Sequence, residues 1–244
     1  MDRDTCIEAL GLPAEECDAL VALYVSTNGS AWSNTENWGT TNAPWVGVNV
    51  ADGRVAQISL PGHSLAGPIP AELGSLSSLD LLYLSDNNLT GRLPVELGNL
   101  SNLGYLNLSN TALTGSLPVG LGKLSKLEYL NLAFNDLTGP LPSDLGGLSG
   151  LEYFDFSNNN FSGWLPSEFG NLSGLEFLNL SHNNLTGPLS VELGRLSNLE
   201  GLSLSYNHLD ADADGSILIP IEIQKWYEGL VNSEISNQTP SPKQ

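Results

Sequence analysis

Apolar residues return along this chain on a fixed beat. From Leu79 the sequence reads LDLLYLSDNNLTGRLPVELGNLSN, and from Leu103 it reads LGYLNLSNTALTGSLPVGLGKLSK. Further units open at Leu127, Leu151 and Leu175, each 24 residues after the last. An imperfect unit opens at Val55 and a truncated one at Leu199, which makes seven turns. Such a period marks a solenoid: one unit cannot bury its own apolar face, and stacking buries it for all of them.

The pattern inside a unit predicts its local structure. In LGYLNL, Leu106 and Leu108 fall on one side and Tyr105 and Asn107 on the other, the alternation of a short strand. Three residues past the second inward leucine stands Asn87, Asn135, Asn159, Asn183 or Asn207, placed to satisfy backbone groups of neighbouring turns. His63 and Thr111 take that slot in their own turns. Gly91, Gly115, Gly139, Gly163 and Gly187 let the chain bend, and Pro94, Pro118, Pro142 and Pro166 direct an extended or short-helical return. Leu97, Leu121, Leu145, Phe169 and Leu193 then close the core from the far side.

Outward positions of successive strands stack into columns, with rungs about 4.8 Å apart. The first column runs Gln57, Leu81, Tyr105, Tyr129, Tyr153, Phe177, Gly201. The second runs Ser59, Tyr83, Asn107, Asn131, Asp155, Asn179, Ser203. A third, just past the strand, runs Asp86, Asn110, Phe134, Asn158, His182, Tyr206. Aromatic rings beside adaptable amides and carboxylates are the makings of a binding surface. The candidate ligand contacts are therefore Tyr83, Tyr105, Asn107, Tyr129, Asn131, Phe134, Tyr153, Asp155, Phe177, Asn179, His182 and Tyr206. They would suit a peptide or an extended polysaccharide with sugar rings stacked on the aromatics; cross-strand tyrosine pairs also stabilise a sheet by themselves. Glu128, Glu152, Glu176 and Glu200 form a further stripe, open to reading as a solvated edge or as a contact for a basic partner or cation.

The LTGxLP stretch after the asparagine resembles that of leucine-rich repeat proteins of the plant-type 24-residue subfamily. The resemblance implies an α/β solenoid, a right-handed superhelix with a parallel β-sheet on its concave face, a second short sheet beside it, and helical N- and C-terminal caps. It implies recognition of proteins, peptides or glycans, not chemistry. Cys17 to Tyr24 has helical apolar spacing, stopped by Asn28-Gly29. With Trp32, Trp38 and Trp45 it resembles the N-terminal cap of secreted repeat proteins. Plant-type caps carry cysteines around the W-x-G-V stretch; here Pro44 and Val50 stand near those places, and Cys6 and Cys17 form an upstream pair. That departure is more similar to bacterial members of the subfamily.

The expected organisation is a cap over 1–54, seven repeats over 55–209, a C-terminal cap over 210–232 and a flexible tail over 233–244. In the C-terminal cap, Pro220 opens a helix from Ile221 to Leu230 that lays Ile223, Trp226 and Tyr227 over the last turn.

Charge and cysteine usage narrow the chemistry. Lys and Arg total 8 against 27 Asp and Glu, a net charge of −19. So acidic a surface repels nucleic acids and anionic lipids, and no apolar run is long enough to insert in a membrane. The two cysteines, paired at one end with no further metal ligand nearby, predict a Cys6–Cys17 disulfide and an oxidising compartment. Residues Met1 to Asp4 hold no apolar export signal, which leaves either a cytosolic chain or one whose leader lies outside this sequence; with the disulfide, a secreted or cell-surface location is expected.

Asp210, Asp212 and Asp214 open a D-x-D-x-D-G run like that of a calcium loop. The twelfth position is Ile221 and no helix leads in, so calcium and a plain acidic turn both stay open. Catalysis finds no support: Asp155 stands alone in its column, and His63, His182 and His208 assemble no triad or zinc site. Thr90, Thr114, Thr138, Ser162 and Thr186 form a hydroxyl ladder of the kind ice-binding solenoids use. The sequence therefore predicts a monomeric, non-catalytic recognition module for a peptide, protein or glycan. The alternatives are a calcium-stabilised adhesion or structural scaffold, or an ice-binding solenoid.

Overall fold

The computed structural model describes residues 1–211 and 216–230 in full, and the backbone of 232–234. Within these bounds the chain is a solenoid of two parallel sheets joined by short 3-10 turns. Helix α1 (Arg3–Leu10) begins at Asp2, whose side chain accepts from Thr5 N at 2.9 Å, and ends at Gly11 in the left-handed conformation. Helix α2 (Ala14–Ser26) follows, and a Cys6–Cys17 disulfide ties the two together. Strands β1 (Val48–Ala51) and β2 (Arg54–Ser59) pair antiparallel and start the concave sheet.

From β2 onward every pairing in that sheet is parallel. Each turn adds a three-residue strand, such as Tyr105–Asn107, Tyr129–Asn131 and Tyr153–Asp155. The register is the one the 24-residue period demands: Gln57 pairs with Leu81, Leu81 with Tyr105, Tyr105 with Tyr129, Tyr129 with Tyr153 and Tyr153 with Phe177. On the convex side the return segments are 3-10 turns such as Val95–Asn99 and Ser143–Gly147. They stack so closely that a β-carbon added at Gly170 would lie 2.2 Å from Glu192 O of the next turn. Only glycine fits there.

The core is one continuous column of inward leucines, with Phe154, Phe156, Phe161 and Phe169 filling the fifth repeat. Between turns, the asparagine slot does the joining. Asn159 Oδ1 accepts from Leu137 N at 3.0 Å, while Nδ2 donates to Leu132 O at 2.9 Å and Phe156 O at 3.2 Å. Asn87, Asn135, Asn183 and Asn207 repeat this pattern. Thr111 does less: its hydroxyl donates to Leu108 O and to Asn135 Oδ1.

The N-terminal cap is an aromatic plug. Trp32, Trp38 and Trp45 are buried; Trp38 is in ring contact with the other two and with Tyr24, and each indole N–H donates to a backbone carbonyl. Beside them lies a feature the sequence conceals. Glu16 is fully buried in α2 and accepts from Val55 N at 2.7 Å and Arg54 Nη1 at 3.0 Å, clamping helix to first repeat strand.

At the other end, the expected helix from Ile221 is a 3-10 turn, Ile221–Ile223, followed by a single-turn helix, Gln224–Glu228. Ile223 is buried against Gly194, and Trp226 Nε1 donates to Leu196 O at 3.1 Å. Residues 232–234, which straddle the expected boundary between C-terminal cap and tail, pair in parallel with 201–203 as the last strand of the concave sheet.

Two measurements check these joints. Asn159→Ala strips the backbone partners of two turns, so the protein should lose about 2–3 kcal/mol in urea denaturation. Thr111→Asn restores the missing bridge to the preceding turn and should gain about 1 kcal/mol. Glu16→Ala leaves Val55 N–H buried and unpaired, for an expected loss of about 2–3 kcal/mol. Proteolysis should then release α1 and α2 before the repeats are cut.

Candidate functional site

The concave columns form as the periodicity predicts, but they are less open than an outward position implies. Tyr105 stacks on Tyr129 with ring centroids 4.2 Å apart, Tyr129 on Tyr153 at 4.5 Å, and Tyr153 on Phe177 at 4.9 Å, all nearly parallel. Tyr83 meets the end of the stack edge-on at 6.0 Å. The inner rings therefore spend their faces on each other and offer only edges and hydroxyls. Burial, with Asp155 and Tyr129 close by, raises the Tyr153 phenol well above its ordinary pKa. It stays protonated and donates to Asp155 Oδ2 at 3.4 Å. Burial likewise raises the Tyr105 phenol, against the partly offsetting hydrogen bond from Asn107.

The amide column is also committed in part. Asn107 and Asp155 are buried, at 6% and 8% exposure, and Asn131 and Asn179 are half-buried. Each turns its Oδ1 to the backbone N–H two residues on, as Asp155 does to Ser157 N at 2.9 Å. Asn107 and Asn131 donate to the neighbouring tyrosine hydroxyls, and Asn179 donates to Asp155 Oδ2 at 3.3 Å. These residues brace the sheet, and only the groups they leave uncovered are free for other contacts.

The third column holds the larger surprise. Asp86, Asn110, Phe134, Asn158, His182 and Tyr206 all have positive φ, between 53° and 58°, as does Gly62 in the same slot of the first repeat. The ladder locks this shape: Phe134 N donates to Ser157 O, and Thr111 N to Phe134 O. Gly, Asn and Asp tolerate left-handed backbone; a bulky ring there is strained by roughly 1 kcal/mol or more. Yet Phe134 and Tyr206 are 57% and 49% exposed, so neither ring is there to fill the core. Tyr206 stacks on His182 at 4.1 Å, also at the surface. Backbone strain retained under exposed aromatics points to function more than to packing.

Around Phe134 the surface dips into an open depression of about 380 Å³, lined by Asp86, Ser109, Asn110, Asn131, Ala133, Phe134 and Asp155. Asp86 accepts from Asn110 Nδ2 and Ser85 Oγ, each at 2.7 Å, which holds its carboxyl below the ordinary value. The structure thus brings residues of columns two and three together in one depression across four turns.

Other candidates end differently. The three N-terminal tryptophans are buried capping residues. The exposed Glu128, Glu152, Glu176 and Glu200 stand on successive rungs, their backbones hydrogen-bonded in series. Asp210 is exposed, and Leu218 N donates to its carbonyl. Asp212 and Asp214 lie outside the described residues, as does any calcium loop they would form. In the second sheet the threonines do not pair with one another: Thr90 pairs with Ala112, and Thr114 with Asp136. The hydroxyl ladder is therefore skewed across the sheet, and beside it Trp164 projects at 69% exposure, lying over Gly187.

Stacked strands, bridging asparagines and an aromatic concave face define a leucine-rich repeat solenoid. The model of the leucine-rich repeat region matches residues 72–219, and the chain belongs to this family. Among curated proteins no match is found.

Among solved structures, the plant peptide hormone receptor RGFR1 in complex with RGF2 is 33% identical. That match covers 63% of this chain and 25% of that one at a TM-score of 0.63. The ectodomain of the Arabidopsis receptor kinase HAESA, with an IDA peptide hormone, is 27% identical; 95% of this chain and 42% of that one align at a TM-score of 0.70. A plant ice-binding protein is 25% identical over 94% of this chain and 73% of that one, at a TM-score of 0.74. The chain thus spans about a quarter of the RGFR1 chain and under half of the HAESA chain. It is a plant-type leucine-rich repeat protein.

The strain argument has a direct check. Phe134→Asn installs the residue type of the adjoining turns and should leave stability unchanged or raise it by up to about 1 kcal/mol in thermal denaturation, although an aromatic ring is lost. A large loss would mean that the ring is structural.

Proposed function

We propose that this chain is a non-catalytic, extracytoplasmic recognition module that binds an extended peptide along its concave face, from Tyr83 to Tyr206. The carrying observation is the pair of exposed aromatics, Phe134 and Tyr206, kept at strained left-handed positions beside the stacked tyrosines. Peptide is favoured over glycan because the stacked ring faces are already covered, leaving hydroxyls, amides and ring edges that suit backbone and side-chain contacts. The peptide hormone receptor RGFR1, solved with RGF2, and the HAESA ectodomain, solved with an IDA peptide hormone, support the same class of ligand. The Cys6–Cys17 disulfide supports an oxidising compartment. The upstream position of that pair supports a secreted member of the bacterial style. The skewed hydroxyl rows and the projecting Trp164 weigh against a flat ice-binding face.

Panning a random 15-residue peptide library against the protein, beside a glycan array, tests the proposal. Binders should emerge from the library. Their affinity should fall by roughly tenfold or more in Tyr129→Leu/Tyr153→Leu, which carries the residue found at Leu81 of the same column. Losing stacked rings should lower the melting temperature by only a few degrees. Peptides that bind the variant equally well, or glycans captured where no peptide is, would overturn the assignment.

A further inference from the structure

The depression around Phe134 has a chemical character that the rest of the concave face lacks. Phe134 makes no ring contact among the described residues, and its side chain stands free beside two carboxylates. One of these, Asp86, receives neutral hydrogen bonds only, from Asn110 and Ser85. The other, Asp155, has a well-satisfied Oδ1 but an Oδ2 met only by long contacts, at 3.3 Å and 3.4 Å. Its column carries asparagine at 107, 131 and 179, so the charge is a departure that the backbone bracing does not require.

No Lys or Arg lines the depression, and the ion pairs among the described residues all lie at the N-terminal cap. The overall charge of −19 adds to the local field. The complementary group is a cation with a flat apolar face and several donors. Guanidinium meets both demands: it stacks on an aromatic ring and directs a planar fork of N–H groups at carboxylates. A hard divalent cation would find an aromatic ring where it needs oxygen ligands.

We propose that the Phe134 depression seats an arginine side chain of the bound peptide, stacked on Phe134 and hydrogen-bonded towards Asp155 and Asp86. This rests on the concave face being a peptide site and adds what that peptide must carry.

The test uses the full chain, labelled with nitrogen-15, in about 0.15 M salt to screen the general acidity. N-acetyl-arginine methylamide is titrated in, then its citrulline counterpart, which keeps the shape and loses the charge. Capped arginine should shift the amides of Asn110, Ala133 and Phe134 saturably, with a Kd on the order of millimolar, and citrulline should bind roughly tenfold more weakly or not at all. Asp155→Asn and Phe134→Asn each install a residue that adjoining turns already carry. Each should weaken capped arginine by roughly tenfold, with the rest of the spectrum in place.

Shifts spread evenly over the acidic surface, equal binding of citrulline, or unaffected variants would overturn the seat. If library peptides bind while capped arginine does not, the seat is wrong and the concave peptide site stands. If capped arginine binds at Phe134 and no library peptide does, the seat stands and the peptide reading falls.

Discussion

Everything in this molecule depends on satisfying the backbone where each turn leaves its strand. Between Leu132 and Leu137 the chain curls too tightly for its own N–H and C=O groups to find strand partners within the turn. A single buried carboxamide resolves this, because it alone among small side chains offers two donors and an acceptor in one rigid plane. Asn135 and Asn159 use all of that capacity, each reaching 22 to 27 residues back in sequence. The cross-links set the rung spacing, and the rung spacing places every column on the concave face.

The same constraint explains the shape of the site. Because the curl is held from both sides, the residue just past the strand is forced into left-handed backbone whatever its identity. Its side chain is thereby thrown out over the concave sheet, next to the amides of the second column. Phe134 lies beside Asp155 and Asn131 for this reason and not because of any local attraction. The two caps use different means. Tryptophans, a disulfide and the Glu16 clamp secure the first turn, whereas at the other end Ile223 is buried and the Trp226 indole donates to Leu196 O.

Much of this was legible in the sequence, because a repeated 24-residue frame reports burial directly. The inward leucines, the asparagine slot, the disulfide and the membership of each column all follow from spacing. What escaped was conformation and closure. Phe, Tyr and His carry no signal for positive φ, so the strain at 134, 182 and 206 was invisible even though Asp86 and Asn110 in the same slot hinted at it. Nothing in the local sequence marks Glu16 for burial, since its partners at 54 and 55 are distant along the chain. Asn107 and Asp155 read as outward, yet neighbouring rings cover them. The skew of the second sheet was equally hidden, because the threonine frame repeats perfectly while the strands pair two residues out of step.

The forced left-handed slot also sets how such a surface can change over generations. A mutation there alters what the concave face presents without disturbing a single core leucine, so ligand choice can drift while the scaffold persists. The backbone, however, constrains each choice. Valine, isoleucine and threonine clash with it, glycine, asparagine and aspartate sit there most readily, and other side chains, aromatic rings among them, are held at a cost. Recognition on this face can be rewritten one turn at a time, with the strain rising with each residue less suited to the slot.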